Sequence, residues 1–134
     1  MWQALPRLLA EAASDPQLRL LVVRSAEPGA FCAGADIGEL ASRDTAGAMN
    51  DPRPAIWARI RAFSKPLIAA VDGYALAGGM EVAITCDLLV ANSKAQFGIP
   101  EVKRGLVAAA GGVMMLPDQI PERIAMELAL TGEF

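Results

Sequence analysis

Two glutamates and two small-residue loops are the parts of this sequence whose residue types could do chemistry. The apolar residues 67–71 are predicted to form a buried strand, the turn pair Asp72-Gly73 follows, and the glycine pair 78–79 precedes an apolar helical pattern. This order directs backbone N–H groups and the positive end of a helix dipole at one point. Glu81 lies in the first turn of the same helix. Such a site suits stabilisation of negative charge on an oxygen, with a carboxylate close by to move a proton.

The second small-residue loop runs over residues 28–36. Three of its residues are small enough for a ligand to approach the backbone closely: Ala33, Gly34 and Ala35. Asp36 follows them and is predicted to cap a short helix over residues 37–41. Taken alone, this loop is typical of an ordinary turn between a strand and a helix.

Together, the two loops can each offer a backbone N–H, and two such donors fit an oxyanion hole. Glu81 and Glu101 could then share a water molecule or pass a proton. Each glutamate alone would be typical of a solvated surface carboxylate, and only the combination favours the functional interpretation. Nucleotide binding is a weaker hypothesis, because the glycines of residues 73–79 lack the Gly-x-Gly-x-x-Gly spacing and neither loop ends in Lys-Ser/Thr.

The absence of histidine removes whole classes of chemistry. With no histidine in the 134 residues, Ser-His and Cys-His nucleophile pairs and histidine-containing zinc sites are excluded within this polypeptide. The two cysteines, Cys32 and Cys86, have no metal-like spacing, and no metal site is expected. Their apolar neighbours predict reduced, buried thiols of a cytosolic protein, with a disulfide as the open alternative.

The composition is apolar for a single soluble domain. Apolar residues make up 54% of the sequence and the mean hydropathy is +0.35, both high for a self-contained domain. Either the protein buries apolar surface in an oligomer, or part of the domain is missing. The net charge of -3, with arginines spread singly along the chain, gives no support for nucleic-acid binding.

The N-terminal residues do not predict export. Pro6, Arg7 and Glu11 interrupt the apolar residues there, which is wrong for the core of a signal peptide. No apolar run approaches the roughly 20 residues that a membrane span needs. We therefore expect a soluble, cytoplasmic protein with no membrane partner.

The rest of the pattern alternates helices with strands, as expected for an α/β fold. Helices are predicted over residues 2–13, 37–41, 55–64, 113–116 and 121–130. Strands or extended segments are predicted over residues 19–24, 67–71, 87–91 and 95–99. The apolar centre of the first strand predicts that both of its faces are covered. Residues 42–54 are predicted to form a mobile loop.

Four segments resemble the crotonase superfamily, the enoyl-CoA hydratase/isomerase family. They are Phe-Cys-Ala-Gly-Ala-Asp at 31–36, the whole stretch 65–81, Cys-Asp-Leu-Leu-Val-Ala at 86–91, and residues 95–101 leading to the glycine pair 111–112. Their order and spacing match the family over nearly all of the chain. The resemblance implies a ββα superhelix core, with residues 1–134 as the central part of the domain. The family's N-terminal strands and C-terminal helical region find no counterpart, which suggests a core truncated at both ends.

The resemblance also implies acyl-CoA thioester chemistry through an enolate-like intermediate, whose oxygen two backbone N–H groups hold. By motif position these groups belong to Ala33 and Gly78, and the substrate also lies against Gly34, Ala35 and Asp36. For the addition of water, the resemblance implies that Glu81 acts mainly as the base and Glu101 mainly as the acid. Coenzyme A is part of the substrate, so no separate cofactor is expected.

Some residues depart from the family pattern. Ala77 stands where many members have a third glycine, and residues 108–110 and 113–115 differ from the runs common in hydratases, which suggests a different acyl group. The open alternatives are a carnitinyl-CoA dehydratase-like or isomerase member, and an inactive remnant acting at most as a binding or assembly module. The full-length form is expected to be a homotrimer or a dimer of trimers.

Overall fold

The computed structural model describes residues 4–134. The helices are α1 (Ala4–Ser14), α2 (Ile37–Ala41), α3 (Thr45–Met49), α4 (Arg53–Arg61), α5 (Gly78–Thr85), α6 (Gly112–Met115) and α7 (Glu122–Thr131). The strands are β1 (Leu21–Arg24), β2 (Ala30–Cys32), β3 (Leu67–Val71), β4 (Tyr74–Leu76), β5 (Leu88–Ala91) and β6 (Gln96–Gly98). Short 3-10 helices cover Pro100–Arg104 and Leu116–Asp118. Residues 2 and 3 of the first predicted helix lie outside the described residues.

The strands form two parallel sheets, with orders β1-β3-β5 and β2-β4-β6. Successive strands therefore alternate between the sheets, and each turn of the chain adds one strand to each sheet beside those of the previous turn. The helix α5 follows the second pair of strands and leads into the third. This arrangement is the predicted ββα superhelix.

Helix α5 is the centre of the core, and six successive residues, 79–84, are buried. A helix that is apolar on all sides is expected to be buried on all sides. Val82 and Ala83 belong to an apolar cluster with residues of β3 and α4. Met80 and Ile84 belong to a second cluster with residues that follow β6. The first turn of this helix is therefore held rigidly between two packed clusters.

The prediction that β1 is covered on both faces is wrong. Its residues alternate between half-buried and exposed, and every residue of β5 is exposed. The reason is position, because β1 and β5 are the outer strands of their sheet and β3 lies between them. Apolar side chains on these outer strands are exposed, at 52% for Val22 and 62% for Val90. An apolar run in the sequence does not specify how many neighbours its strand obtains.

The prediction of a loop over residues 42–54 is also wrong in part, because Thr45–Met49 forms α3 and Arg53 begins α4. The side chain of Asp44 caps α3 by accepting a 2.7 Å hydrogen bond from the N–H of Gly47. The composition of this segment is typical of loops, but a single capping residue suffices to start a helix there.

Ion pairs fix the end of the segment 42–54. Asp51 accepts hydrogen bonds from Arg43 at 2.8 Å and from Arg53 at 2.6 Å. The bond from Arg53 is the main reason why the pKa of Asp51 falls to about 2. These contacts join the start of α4 to Arg43, two residues beyond the end of α2.

Other local predictions are confirmed. Asp36 caps α2 by accepting a 2.9 Å hydrogen bond from the N–H of Glu39, and the strand over residues 67–71 has the predicted bounds. The strand β4 has no counterpart among the predictions, because its three residues follow a turn signal and are too few to show a period. Among the described residues, no helix is long and apolar enough to cross a membrane.

Candidate active site

The two small-residue loops lie in direct contact. A Cβ atom added at Gly79 would lie 2.0 Å from the carbonyl oxygen of Cys32, and one added at Gly34 would lie 3.1 Å from the backbone nitrogen of Gly78. Only glycine permits this approach of the chain after β2 to the first turn of α5. The N–H groups of the first residues of α5, Gly78 among them, have no partner within the helix, and the first such bond is the one from Glu81 to the carbonyl oxygen of Ala77. The structure therefore brings the backbone around Ala33 and Gly78 to one place.

The turn from β4 into α5 is strained at Ala77. Its φ of 52° and ψ of -128° make it the one non-glycine residue with positive φ in the described part of the chain. Residues other than glycine rarely adopt this backbone conformation, which costs them roughly 1–3 kcal/mol. The alanine stands where the family resemblance leads us to expect glycine, so this chain bears strain at the entrance to its candidate oxyanion site.

We expect Ala77→Gly to stabilise the protein by about 1 kcal/mol, because relief of strain exceeds the larger backbone entropy of glycine in the unfolded chain. Chemical denaturation measures the difference in the free energy of unfolding. The control is Ala58→Gly, at an exposed, ordinary helical position of α4, which should destabilise by about 1 kcal/mol. Equal destabilisation by both substitutions would contradict the assignment of strain to Ala77.

Glu81 is the buried carboxylate of the site, with 4% of its surface exposed. Its Oε1 accepts a 2.9 Å hydrogen bond from the backbone N–H of Gly112, at the start of α6. Burial raises the pKa of Glu81, while the N–H groups of Gly112, Ala110 and Gly111 act in the opposite direction by favouring the charged form. The result is a carboxylate that is held in one orientation and yet is easier to protonate than an ordinary glutamate.

Glu101 supplies the second carboxylate, in the 3-10 helix that follows β6. The residue is half-buried, and its Oε2 is buried without a hydrogen-bond partner among the described residues. Burial raises the pKa of Glu101, and the charge of Glu81 raises it further. The two carboxylates are thus electrostatically coupled, and one of them offers an oxygen that can bond to a bound molecule.

The glycine pair 111–112 completes the surroundings of Glu81. Gly111 has a φ of 134°, and a Cβ at this position would lie 2.9 Å from the Sδ of Met115. A Cβ at Gly112 would lie 2.7 Å from the Cβ of Ala108 and 3.2 Å from Oε1 of Glu81. The small residues of 108–112 predict close packing, but nothing in their types or spacing joins them to Glu81.

The other residues singled out in the sequence are those of the loop 33–36 and the two cysteines. The side chain of Asp36 is engaged as the cap of α2, while Ala33 lies exposed and Gly34 and Ala35 are half-buried in the loop that meets α5. Cys32 and Cys86 are free thiols and are half-buried rather than buried. Burial raises the pKa of Cys86 to about 11, so this thiol is protonated at neutral pH and is a poor nucleophile.

Comparison with known proteins agrees with this fold. The family model described as Enoyl-CoA hydratase/isomerase matches residues 1–134. The chain is 44% identical over 125 residues to 2,3-dehydroadipyl-CoA hydratase of Escherichia coli (strain K12), covering 93% of the chain and 49% of that protein. It is 43% identical to the human mitochondrial enoyl-CoA hydratase domain-containing protein 2, covering 92% of the chain and 43% of that protein.

Solved structures give the same result. Enoyl-CoA hydratase EchA1 of Mycobacterium marinum is 47% identical with a TM-score of 0.83, covering 97% of this chain and 50% of that one. The enoyl-CoA hydratase of Thermoplasma volcanium GSS1 is 36% identical with a TM-score of 0.90, covering 99% and 54%. The chain spans about half the length of the curated relatives that it matches. This chain belongs to the enoyl-CoA hydratase/isomerase family, and its fold is that of the crotonase superfamily.

Proposed function

We propose that this chain carries the catalytic centre of an enoyl-CoA hydratase-type lyase, which adds water reversibly to the double bond of an α,β-unsaturated acyl-CoA. The observation that carries this proposal is a pair of carboxylates: Glu81, buried in the first turn of α5 and bonded at 2.9 Å to the N–H of Gly112, and Glu101, whose Oε2 is buried without a partner among the described residues. Burial raises the pKa of both. Perturbed carboxylates of this kind are concentrated at sites of proton transfer. Membership of the family and hydratase relatives support the same reaction class.

In the proposed reaction, the N–H groups of Ala33 and Gly78 bind the thioester carbonyl oxygen. The oxygen of a water molecule attacks Cβ, Glu81 accepts a proton from that water, and the electrons of the double bond pass to the carbonyl oxygen. The enolate then takes a proton at Cα, delivered from Glu101, and the carbonyl re-forms. Each oxyanion donor contributes about 3 kcal/mol to stabilisation of the transition state.

The electrostatics of the pair support these roles. The nest of N–H groups before α6 keeps the Glu81 carboxylate able to ionise and accept a proton. Burial, and to a smaller extent the charge of Glu81, favour the protonated form of Glu101, which suits a proton donor. Because the charge of Glu81 acts on Glu101, the labels base and acid describe one cycle in the hydration direction.

The substrate proposal follows from the small-residue loop. Residues 33–36 would lie along the coenzyme A portion, and coenzyme A enters and leaves as part of the substrate, so the reaction needs no separate cofactor. The full-length protein is proposed to assemble as a homotrimer or a dimer of trimers. The acyl group is proposed to differ from that of common hydratases, because residues 108–110 and 113–115 depart from the usual pattern.

The test is to incubate the purified chain with crotonyl-CoA and with longer enoyl-CoAs, and to follow products by mass spectrometry. Hydration adds the mass of one water, whereas isomerisation leaves the mass unchanged, so the two family reactions are separated directly. We expect the hydrated product. A folded chain that binds acyl-CoA without turnover would favour a binding module, and aggregates without binding would favour an inactive remnant.

A further inference from the structure

We propose that Arg61 is a positioning residue for Glu81, because it holds the peptide between Ala110 and Gly111 so that the backbone N–H groups before α6 face the Glu81 carboxylate. The importance of this contact for catalysis rests on the proposed function, whereas the contact itself does not. In the sequence, Arg61 is one of several scattered arginines, and nothing in its immediate neighbours links it to Glu81.

The contact joins distant parts of the chain. Arg61 is the last residue of α4, and its Nη1 donates a 3.1 Å hydrogen bond to the carbonyl oxygen of Ala110, 49 residues further along. The segment that receives this bond leads directly into α6, where Gly112 donates to Oε1 of Glu81. Helix α4 itself is anchored by the buried side chains of Trp57 and Ile60. The arginine therefore extends from a fixed helix to a segment rich in small residues.

The geometry of the peptide bond links the two ends of this contact. The carbonyl of Ala110 and the N–H of Gly111 belong to one planar trans peptide, so they point in opposite directions. An arginine bonded to the oxygen on one side orients the N–H toward the other side. A positively charged donor also polarises the peptide and strengthens its N–H as a donor. The N–H of Gly111 is one of those that favour the charged form of Glu81.

Glycine makes this support necessary. Gly111 has a φ of 134°, and a Cβ there would come 4.0 Å from Nη1 of Arg61. Residues 108–112, Ala-Ala-Ala-Gly-Gly, have no side chain beyond a methyl group with which to fix themselves. Glycine is also the most costly residue to order. The hydrogen bond from Arg61 supplies an anchor from outside the segment.

Two charged side chains influence Glu81 from the elements packed against α5. Arg61, on α4, favours the charged form of Glu81, and Glu101, in the 3-10 helix after β6, interacts with Glu81 as a like charge. The elements α5 and α6 contribute no other charged side chain. Loss of Arg61 removes a positive charge that favours the ionised form of Glu81, while the negative charge of Glu101 remains. The pKa of Glu81 should therefore rise.

The experiment compares Arg61→Met, Arg61→Lys and Arg61→Gln with the wild type. The matched control is Arg59→Met, because Arg59 is exposed on α4 as Arg61 is. The carboxyl carbon of Glu81 is titrated by NMR, and the pH profile of kcat/KM is measured for crotonyl-CoA hydration. We expect Arg61→Met to move the Glu81 titration to higher pH and to lower kcat about tenfold with little change in KM. Arg61→Lys should restore most of both properties, and Arg59→Met should match the wild type.

The outcomes separate this proposal from the proposed function. If the Glu81 titration moves in Arg61→Met while no variant hydrates the substrate, the positioning role stands and the hydratase function is wrong. An unchanged Glu81 titration in every Arg61 variant overturns the positioning role, whatever the activity. If Arg61→Met does not fold, the comparison of Arg61→Lys with Arg61→Gln decides, since only lysine keeps the charge. Identical titrations of Glu81 in those two variants and the wild type would then overturn it.

Discussion

Glu81→Gln and Glu101→Gln should each lower the rate of enoyl-CoA hydration by about a hundredfold to ten-thousandfold, the usual effect of removing a positioned acid or base. Glutamine keeps the shape and the carbonyl oxygen that accepts the bond from Gly112, but it can neither take nor deliver the proton. The measurement is kcat and KM for crotonyl-CoA, together with calorimetric binding of a saturated acyl-CoA. Binding should persist, because the amide is nearly isosteric with the carboxyl.

Stability provides the control for these variants. Because the folded pKa of Glu81 is raised, the native state loses stability as the pH rises through that pKa, and neutral glutamine does not. Glu81→Gln should therefore be more resistant to unfolding than the wild type at neutral pH, with the difference disappearing below the ordinary pKa of glutamate. Glu127→Gln, on the exposed side of α7, should leave both activity and stability unchanged. Full activity in both active-site variants would contradict the assigned roles.

Gly79→Ala should lower the free energy of unfolding by about 3 kcal/mol or more, because the added methyl group meets a packed backbone. Its Cβ would lie 2.0 Å from the carbonyl oxygen of Cys32 and 2.6 Å from the carbonyl carbon, and neither atom can rotate away. The loop after β2 and the first turn of α5 must then separate. If Ala33 and Gly78 are the proposed oxyanion donors, hydration should also fall, since their N–H groups would be moved apart.

Gly47→Ala is the matched control for this substitution. Both glycines lie in helices, where alanine alone would stabilise by about 1 kcal/mol. A Cβ at Gly47 would closely approach only a side-chain oxygen of Asp44, at 3.2 Å, and that exposed side chain can shift. The free energy of unfolding of this variant should remain within about 1 kcal/mol of the wild type. If Gly79→Ala behaved in the same way, the close approach of the two loops would be refuted.

The sequence by itself determined the local elements and the residue types of the candidate site. The strand over residues 67–71 has the predicted bounds, Glu81 lies in the first turn of the following helix, and Asp36 caps α2. Each of these depends on a few neighbouring residues, through apolar periodicity or a single capping bond. The family was also recognisable from the sequence, because its segments keep their order and spacing.

The tertiary structure alone decided which of these pieces meet. Glu101 is 20 residues from Glu81 in the sequence and couples to it because the chain after β6 packs against α5. The bond from Arg61 to Ala110 crosses 49 residues, and the exposure of β1 and β5 follows from their places at the edges of a sheet. The periodicity of apolar residues predicts local helices and strands and their apolar faces. Contacts between distant segments depend on how the whole chain packs. Two glycine-rich loops and two glutamates could be found by reading the sequence, but only folding brings them to one place.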